Sequence, residues 1–268
     1  MKEQLLSIVS SIADRGRKIN AMREYLQVYV LRTMFEKGHF SQVAFVGGTA
    51  LRFIHNVPRF SEDLDFSLIN KQDYDFQKIL NEIKHALNDA NYSVSFKFKA
   101  ERTVNTAYLK FPELLHMAEL SHRKDQNLTI KLDVDTNPPK GGVVATTLVN
   151  KYFPITFTHY DLPSLFAGKL HAIFTRPYVK GRDYFDLVWL LSRHKDLQPN
   201  LNLLNNALKQ TGNTLKVTSD DWRMKVMERV ASINWQAVVD DVKRFTEDEL
   251  FINSMKPEYV KPLLGVSS

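Results

Sequence analysis

Apolar positions in the first 36 residues recur with a helical period. Leu5, Leu6, Val9 and Ile12 form one stripe, and Met22, Leu26, Tyr29, Val30 and Met34 form another, with a break near Asp14-Arg15-Gly16. The pattern then shortens. The run 43–46 predicts a strand, 49–55 a helix and 63–68 a second strand. Phe76, Ile79, Leu80, Ile83 and Leu87 mark one side of a helix over 74–90, and alternation of Val94, Phe96 and Phe98 predicts a strand over 92–99. Strands over 107–111 and 128–135 follow, then a Pro-Pro-Lys-Gly-Gly loop at 138–142 and a short strand at 155–158.

From Asp161 the periodicity is helical again. Asp161 is placed to cap a helix with Pro163 in its first turn, and Pro177 and Gly181 to end it. Helices over 183–193, 201–208, 220–231 and 235–245 complete the pattern, with Trp222, Trp235 and Phe245 as core residues. The fold class is α+β. A mixed sheet with flanking helices is expected over 1–158 and a helical domain over 159–268.

Composition narrows the class. Of 268 residues, 44% are hydrophobic and 25% charged, as in an ordinary globular protein. No apolar stretch approaches the length of a membrane span, and the N-terminus lacks the apolar core of a signal peptide. The absence of cysteine excludes disulfides, thiolate metal sites and cysteine nucleophiles, and predicts a cytoplasmic protein. A net charge of +6 is compatible with a nucleic-acid partner.

The chemistry concentrates in residues 47–66, GGTALRFIHNVPRFSEDLDF. Asp63 and Asp65 stand two apart on a predicted strand, so both carboxylates face one side while Leu64 and Phe66 face the other. Carboxylates held that close repel unless a cation neutralises them, and hard oxygen ligands on one face suit Mg²⁺. Gly47 and Gly48 let backbone N–H groups approach a phosphate at the start of a helix, and Thr49 can cap that helix or bond a phosphate oxygen. Either half alone reads as a glycine turn or a solvated acidic strand end. In this order they are the equipment of nucleotidyl transfer.

GGTALR and RFSEDLDF (59–66), followed by LFAGKLHAI (165–173) and GRDYFDLVWLL (181–191), resemble the four successive motifs of the AbiEii/AbiGii nucleotidyltransferase toxins of the DNA polymerase beta-like superfamily. The resemblance covers residues 43–191. The fourth motif often carries Lys before its first Asp; here that position is Arg182. The resemblance implies metal binding by Asp63 and Asp65 and a third carboxylate from the 128–135 strand, Asp133 or Asp135, with Asp133 the choice. It implies that Lys169 holds a triphosphate as a point charge, that Asp183 orients Lys169, and that Asp186 supports them. An isolated helical lysine otherwise faces solvent. Arg59 and Ser61 can reach a phosphate, as can Arg52 and Arg182, although Ser61 can equally bond local backbone.

The expected arrangement sets the Gly-Gly-Thr turn and the Asp pair at one sheet edge, with Lys169 and Asp183 brought to them. The expected partners are an NTP, an RNA acceptor (the 3′ end of tRNA) and a cognate antitoxin that forms no stable complex. Competing readings are a transferase acting on a small molecule or on a protein hydroxyl, and an inactive nucleotide- or RNA-binding module.

Overall fold

The computed structural model describes residues 2–100 and 103–265, which divide into two compact units. The first comprises the chain up to Asn56, Phe60–Asn137 and Ala145–His159; the second comprises Val57–Arg59, Pro138–Val144 and the chain from Tyr160 onward. No helix among the described residues is long and apolar enough to cross a membrane.

The first unit contains helices α1 (Lys2–Ser10), α2 (Arg15–Glu36), α3 (Gly47–Ile54), α4 (Phe76–Asp89) and the single turn α5 (Leu114–Met117). Its sheet has seven strands: β1 (Val43–Val46), β2 (Asp63–Leu68), β3 (Ser95–Lys99), β4 (Val104–Phe111), β5 (Leu128–Asp135), β6 (Val144–Asn150) and β7 (Pro154–Tyr160). Their order is β3-β4-β5-β2-β1-β7-β6. Strands β1 and β2 are antiparallel, β2 runs parallel to β5, and β1 runs parallel to β7. The Asp pair therefore stands on the central strand and not at a sheet edge as expected. Chain segments far along the sequence, β5 and β7, flank the β1–β2 pair on both sides, and nothing local to residues 43–68 encodes that.

Alternation explains the strands. Leu64 and Phe66 on β2, and Leu128, Ile130, Leu132 and Val134 on β5, are buried, while the polar residues between them are only half-buried. Phe45 stacks on Phe66 and Phe157 at 5.3 and 5.5 Å between ring centroids, tying β1 to its neighbours. Strand β6 has no one-sided core face, its residues alternating between exposed and half-buried. It was not anticipated, although its Val and Thr content favours a strand. Strand β4 starts earlier than expected and β3 is shorter.

Helix α2 is buried around most of its circumference, because it packs on α1, α4 and β5. Its polar residues are correspondingly satisfied. Gln27 donates to the Ser61 carbonyl at 3.2 Å, and Arg23 lies 3.6 Å from Glu62, so α2 grips the loop leading into β2. Glu24, 4% exposed, accepts from Arg52 Nε on α3 at 2.7 Å and meets Lys151 Nζ at 2.8 Å. The Arg52 guanidinium also covers the Phe60 ring at 4.8 Å. Burial acts to raise the Glu24 carboxyl, but Arg52 and Lys151 outweigh it and hold the pKa below the ordinary value.

The second unit contains α6 (Leu162–Thr175), α7 (Gly181–Arg193), α8 (Leu201–Gln210), α9 (Trp222–Ala231), α10 (Trp235–Lys243), α11 (Glu249–Asn253) and α12 (Pro257–Leu263). Asp161 caps α6 through the Ser164 N–H at 2.9 Å. Gly181 opens α7 and does not merely close α6, because a Cβ there would strike the Val238 carbonyl of α10. Trp222 is fully buried edge-on to Phe166 at 5.6 Å and donates to Gln198 at 2.8 Å; Trp235 and Phe245 are buried as well.

Arg52→Ala leaves a buried carboxylate short of its main partner. We expect a loss of about 3 kcal/mol, read from the denaturant unfolding midpoint. Because the Glu24 pKa is depressed in the folded state, its contribution is full above its unfolded value and is lost as pH falls through the lower folded value. Glu24→Gln should flatten that part of the acid-unfolding curve.

Candidate active site

In the first unit the site is built where β1 passes into α3 beside β2. Gly47 has φ of +78°, a conformation side chains disfavour, and a Cβ at this position would overlap the Asp65 carboxylate. Glycine is required here on both counts. Asp65 thus lies against the first turn of α3, where the helix dipole favours negative charge. Val46 occupies the N-cap position and makes no side-chain capping bond. Thr49 does not cap the helix: it is fully buried and its hydroxyl donates to the Asp63 carbonyl, fastening α3 to the start of β2. Gly48 lies in the same first helical turn, half-buried. Ser61 is half-buried, with its carbonyl held by Gln27.

The parallel pairing of β2 with β5 sets Asp65 beside Asp133 and Asp63 beside Lys131, all on the half-buried side of the sheet. Asp133 is engaged on both oxygens. Thr106 donates to Oδ1 at 2.8 Å, and Lys131 forms an ion pair with Oδ2. Burial lowers the Lys131 pKa, but Asp133 and then Asp63 outweigh it and the net shift is upward. Asp135 lies beside Ser67, further along β2, and accepts from the Asn137 N–H at 2.9 Å. Burial raises its pKa. Among the described residues no cluster of three His, Cys, Asp or Glu side chains is gathered for a metal. Two carboxylates on one face still fit Mg²⁺, which takes one or two from protein and the remainder from water and phosphate.

The second unit holds the other predicted residues. Lys169 on α6 is 12% exposed and reaches Asp183 Oδ1 at 3.1 Å and Asp186 Oδ2 at 2.7 Å, both on α7. Asp186 is fully buried and is clasped by Arg59, whose Nε and Nη2 lie 2.6 and 2.5 Å from its two oxygens. Arg59 is itself 1% exposed. Asp183 Oδ2 lies 3.4 Å from Arg176 Nε and accepts no hydrogen bond among the described residues. Burial pushes the Asp183 pKa up, yet Lys169 and Arg176 prevail and hold it below the ordinary range. Lys180 is pulled down by burial and then by Arg182 and Arg176. Arg182 lies over the Phe245 ring at 4.1 Å.

Arg176 and Lys180 are the cations that the sequence reading missed. The signal was the clustering of Arg176 and Lys180 between the third and fourth motifs, next to Arg182 at the start of the fourth. With Lys169 and Arg59, Arg176 and Lys180 make four cations that act on Asp183 and Asp186. Lys131 is the other omission. Its alternation with Asp133 was visible, but its pairing with that residue was not.

The architecture is that of nucleotidyltransferase structures. The chain is similar to a candidate nucleotidyltransferase from H. pylori, with 22% identity over 91% of this chain and 90% of that one and a TM-score of 0.54. It is also similar to JHP933 from Helicobacter pylori, with 20% identity over 92% and 88% and a TM-score of 0.53. At these identities the likeness is one of fold. The family model described as nucleotidyl transferase AbiEii toxin, Type IV TA system, matches residues 29–259. The chain belongs to this family of nucleotidyltransferase toxins. No curated protein matches it.

Gly47→Ala should lose more than about 1 kcal/mol of stability from the left-handed backbone alone, and should displace the Asp65 carboxylate. Chemical unfolding measures the first effect and nucleotide binding the second. Asp186→Ala strands Arg59 in the core and should destabilise by about 3–5 kcal/mol, whereas the double variant Arg59→Met/Asp186→Leu should recover much of that loss in the same unfolding assay.

Proposed function

We propose that the protein transfers a nucleoside monophosphate from an NTP to an acceptor hydroxyl in the cytoplasm, with Mg²⁺ as cofactor. The observation that carries this reading is the juxtaposition at β2. Asp63 and Asp65 share one face of the sheet, and Gly47 lies against Asp65, which supports reading a phosphate cradle and a metal-binding pair there as one site. Family membership supports the class of reaction. The acceptor oxygen forms a bond to the α-phosphorus, the bond to the β-phosphate oxygen breaks, the hydroxyl proton is lost, and pyrophosphate leaves.

Asp63 and Asp65 would hold the metal, with Asp133 released from Lys131 to assist. A divalent ion there supplies Lewis-acid activation of the hydroxyl and neutralisation of the leaving group. The start of α3, at Gly47 and Gly48, presents N–H groups to phosphate, and Thr49 and Ser61 shape that approach. Lys169, oriented by Asp183 and Asp186, holds the triphosphate as charge shifts to the leaving group. Arg59 supports this by fixing Asp186. The acceptor is the 3′ end of tRNA, so that modification blocks translation and arrests growth. A cognate antitoxin would oppose the toxin without forming a stable complex.

Incubation with each labelled NTP, Mg²⁺ and total cellular RNA or protein tests the reading. Label should enter small RNA. Asp63→Ala should lower transfer by roughly 10³-fold or more while the protein stays folded, because several kcal/mol of charge stabilisation at the transition state depend on the metal. Full transfer by folded Asp63→Ala protein would rule the mechanism out. Label confined to protein or to a small molecule would move the acceptor assignment. Expression in cells should arrest growth only when Asp63 and Lys169 are intact.

A further inference from the structure

Two rows of side chains cross four strands on the face that carries the Asp pair. One row runs Asp63, Lys131, Tyr108, Lys97, and the other Asp65, Asp133, Thr106, Lys99, each step being a register pair. Register partners present their side chains on the same face of a sheet. Charge changes sign along both rows. It is acidic on β2, compensated on β5 by the Lys131–Asp133 pair, and cationic on β3. Lys97 and Lys99 are exposed and form no salt bridge among the described residues. Tyr108 is 40% exposed. Together with Phe98, Val104 and Thr106 these residues line a hollow of about 180 Å³.

Lysines on an outermost strand blunt it against pairing with other chains, and β3 is outermost. That accounts for Lys97 and Lys99 but not for Tyr108, an exposed aromatic on the inner strand β4, nor for the hollow beside it. A nucleic-acid strand brought to two clustered aspartates carries negative charge towards negative charge. It needs cations along its path and an aromatic face to fix a base.

We propose that the β3–β4 surface seats the single-stranded end of a nucleic-acid acceptor, with Tyr108 stacking a base and Lys97 and Lys99 neutralising phosphates. The proposal rests on the nucleotidyl-transfer reading. At ~4.8 Å per strand, two spacings put Tyr108 roughly 10 Å from the Asp pair and three put Lys97 and Lys99 roughly 14 Å from it.

The test is binding of a fluorescent single-stranded oligoribonucleotide across a salt titration, with affinity for a labelled NTP measured separately. Lys97→Ala/Lys99→Ala should make the slope of log affinity against log salt shallower by about 1.4, since each neutralised phosphate contributes about 0.7. Tyr108→Ala should weaken binding roughly 5- to 150-fold, and Tyr108→Phe should bind as wild type does. Nucleotide affinity should not change in any of them. Wild-type affinity and slope in the lysine and tyrosine variants would overturn the proposal, as would failure of the wild-type protein to bind the oligonucleotide. Transfer assays on Asp63→Ala judge the reaction independently. If that variant is inactive while the surface variants bind normally, only the acceptor surface is wrong; if it is active, the reaction itself is wrong.

Discussion

Crowded carboxylates are the constraint on which the rest of this protein depends. Each unit gathers aspartates and answers them with cations, from the same strand in the sheet and from remote segments in the helical unit. On the sheet, Lys131 pairs with Asp133 and also lies near Asp63. In the helical unit, Asp186 is buried only because Arg59 meets both of its oxygens and Lys169 meets one. Removing water from such groups costs several kcal/mol per ion, so the compensation has to be geometrically close. The Thr49 hydroxyl bond to the Asp63 carbonyl ties α3 to the start of the acid-bearing strand, and Glu24 and Arg52 tie α2 to α3.

The two units use different means to the same end. The sheet fixes its acids by strand pairing, so their spacing is a property of the backbone. The helical unit fixes its acids through side chains, with Lys169 bridging α6 to α7 and Arg59 contributed by a short segment remote in sequence. Backbone spacing tolerates loss of a neighbouring side chain better than a side-chain network does, because such networks fail as units.

Much of this was legible in the sequence where burial writes a period. The alternation of Asp63–Leu68 and of Leu128–Asp135 located both acid-bearing strands, because one face is apolar and the other is not. Asp161 announced its helix by its capping chemistry. Strand β6 escaped because neither of its faces is core, so no apolar period marks it. The central position of β2 escaped because strand order is decided by pairings between distant segments. The Arg59–Asp186 contact joins residues 127 apart in sequence, and no local pattern reports it. Thr49 reads as able to cap the helix or bond a phosphate oxygen; it does not cap, because the helix begins two residues earlier, at Gly47, and its hydroxyl turns to the Asp63 carbonyl.

The parallel pairing of β2 with β5 has a consequence for the life of the chain in the cell. Asp65 can meet Asp133 only after the intervening residues have been made, and parallel pairings of this separation form slowly. Lys169 and Asp183 lie later still in the sequence. A ribosome making this protein therefore carries a chain whose acid face stays unfinished until β5 has been made. The Asp pair is made first and waits for a partner strand that the ribosome supplies some sixty residues later.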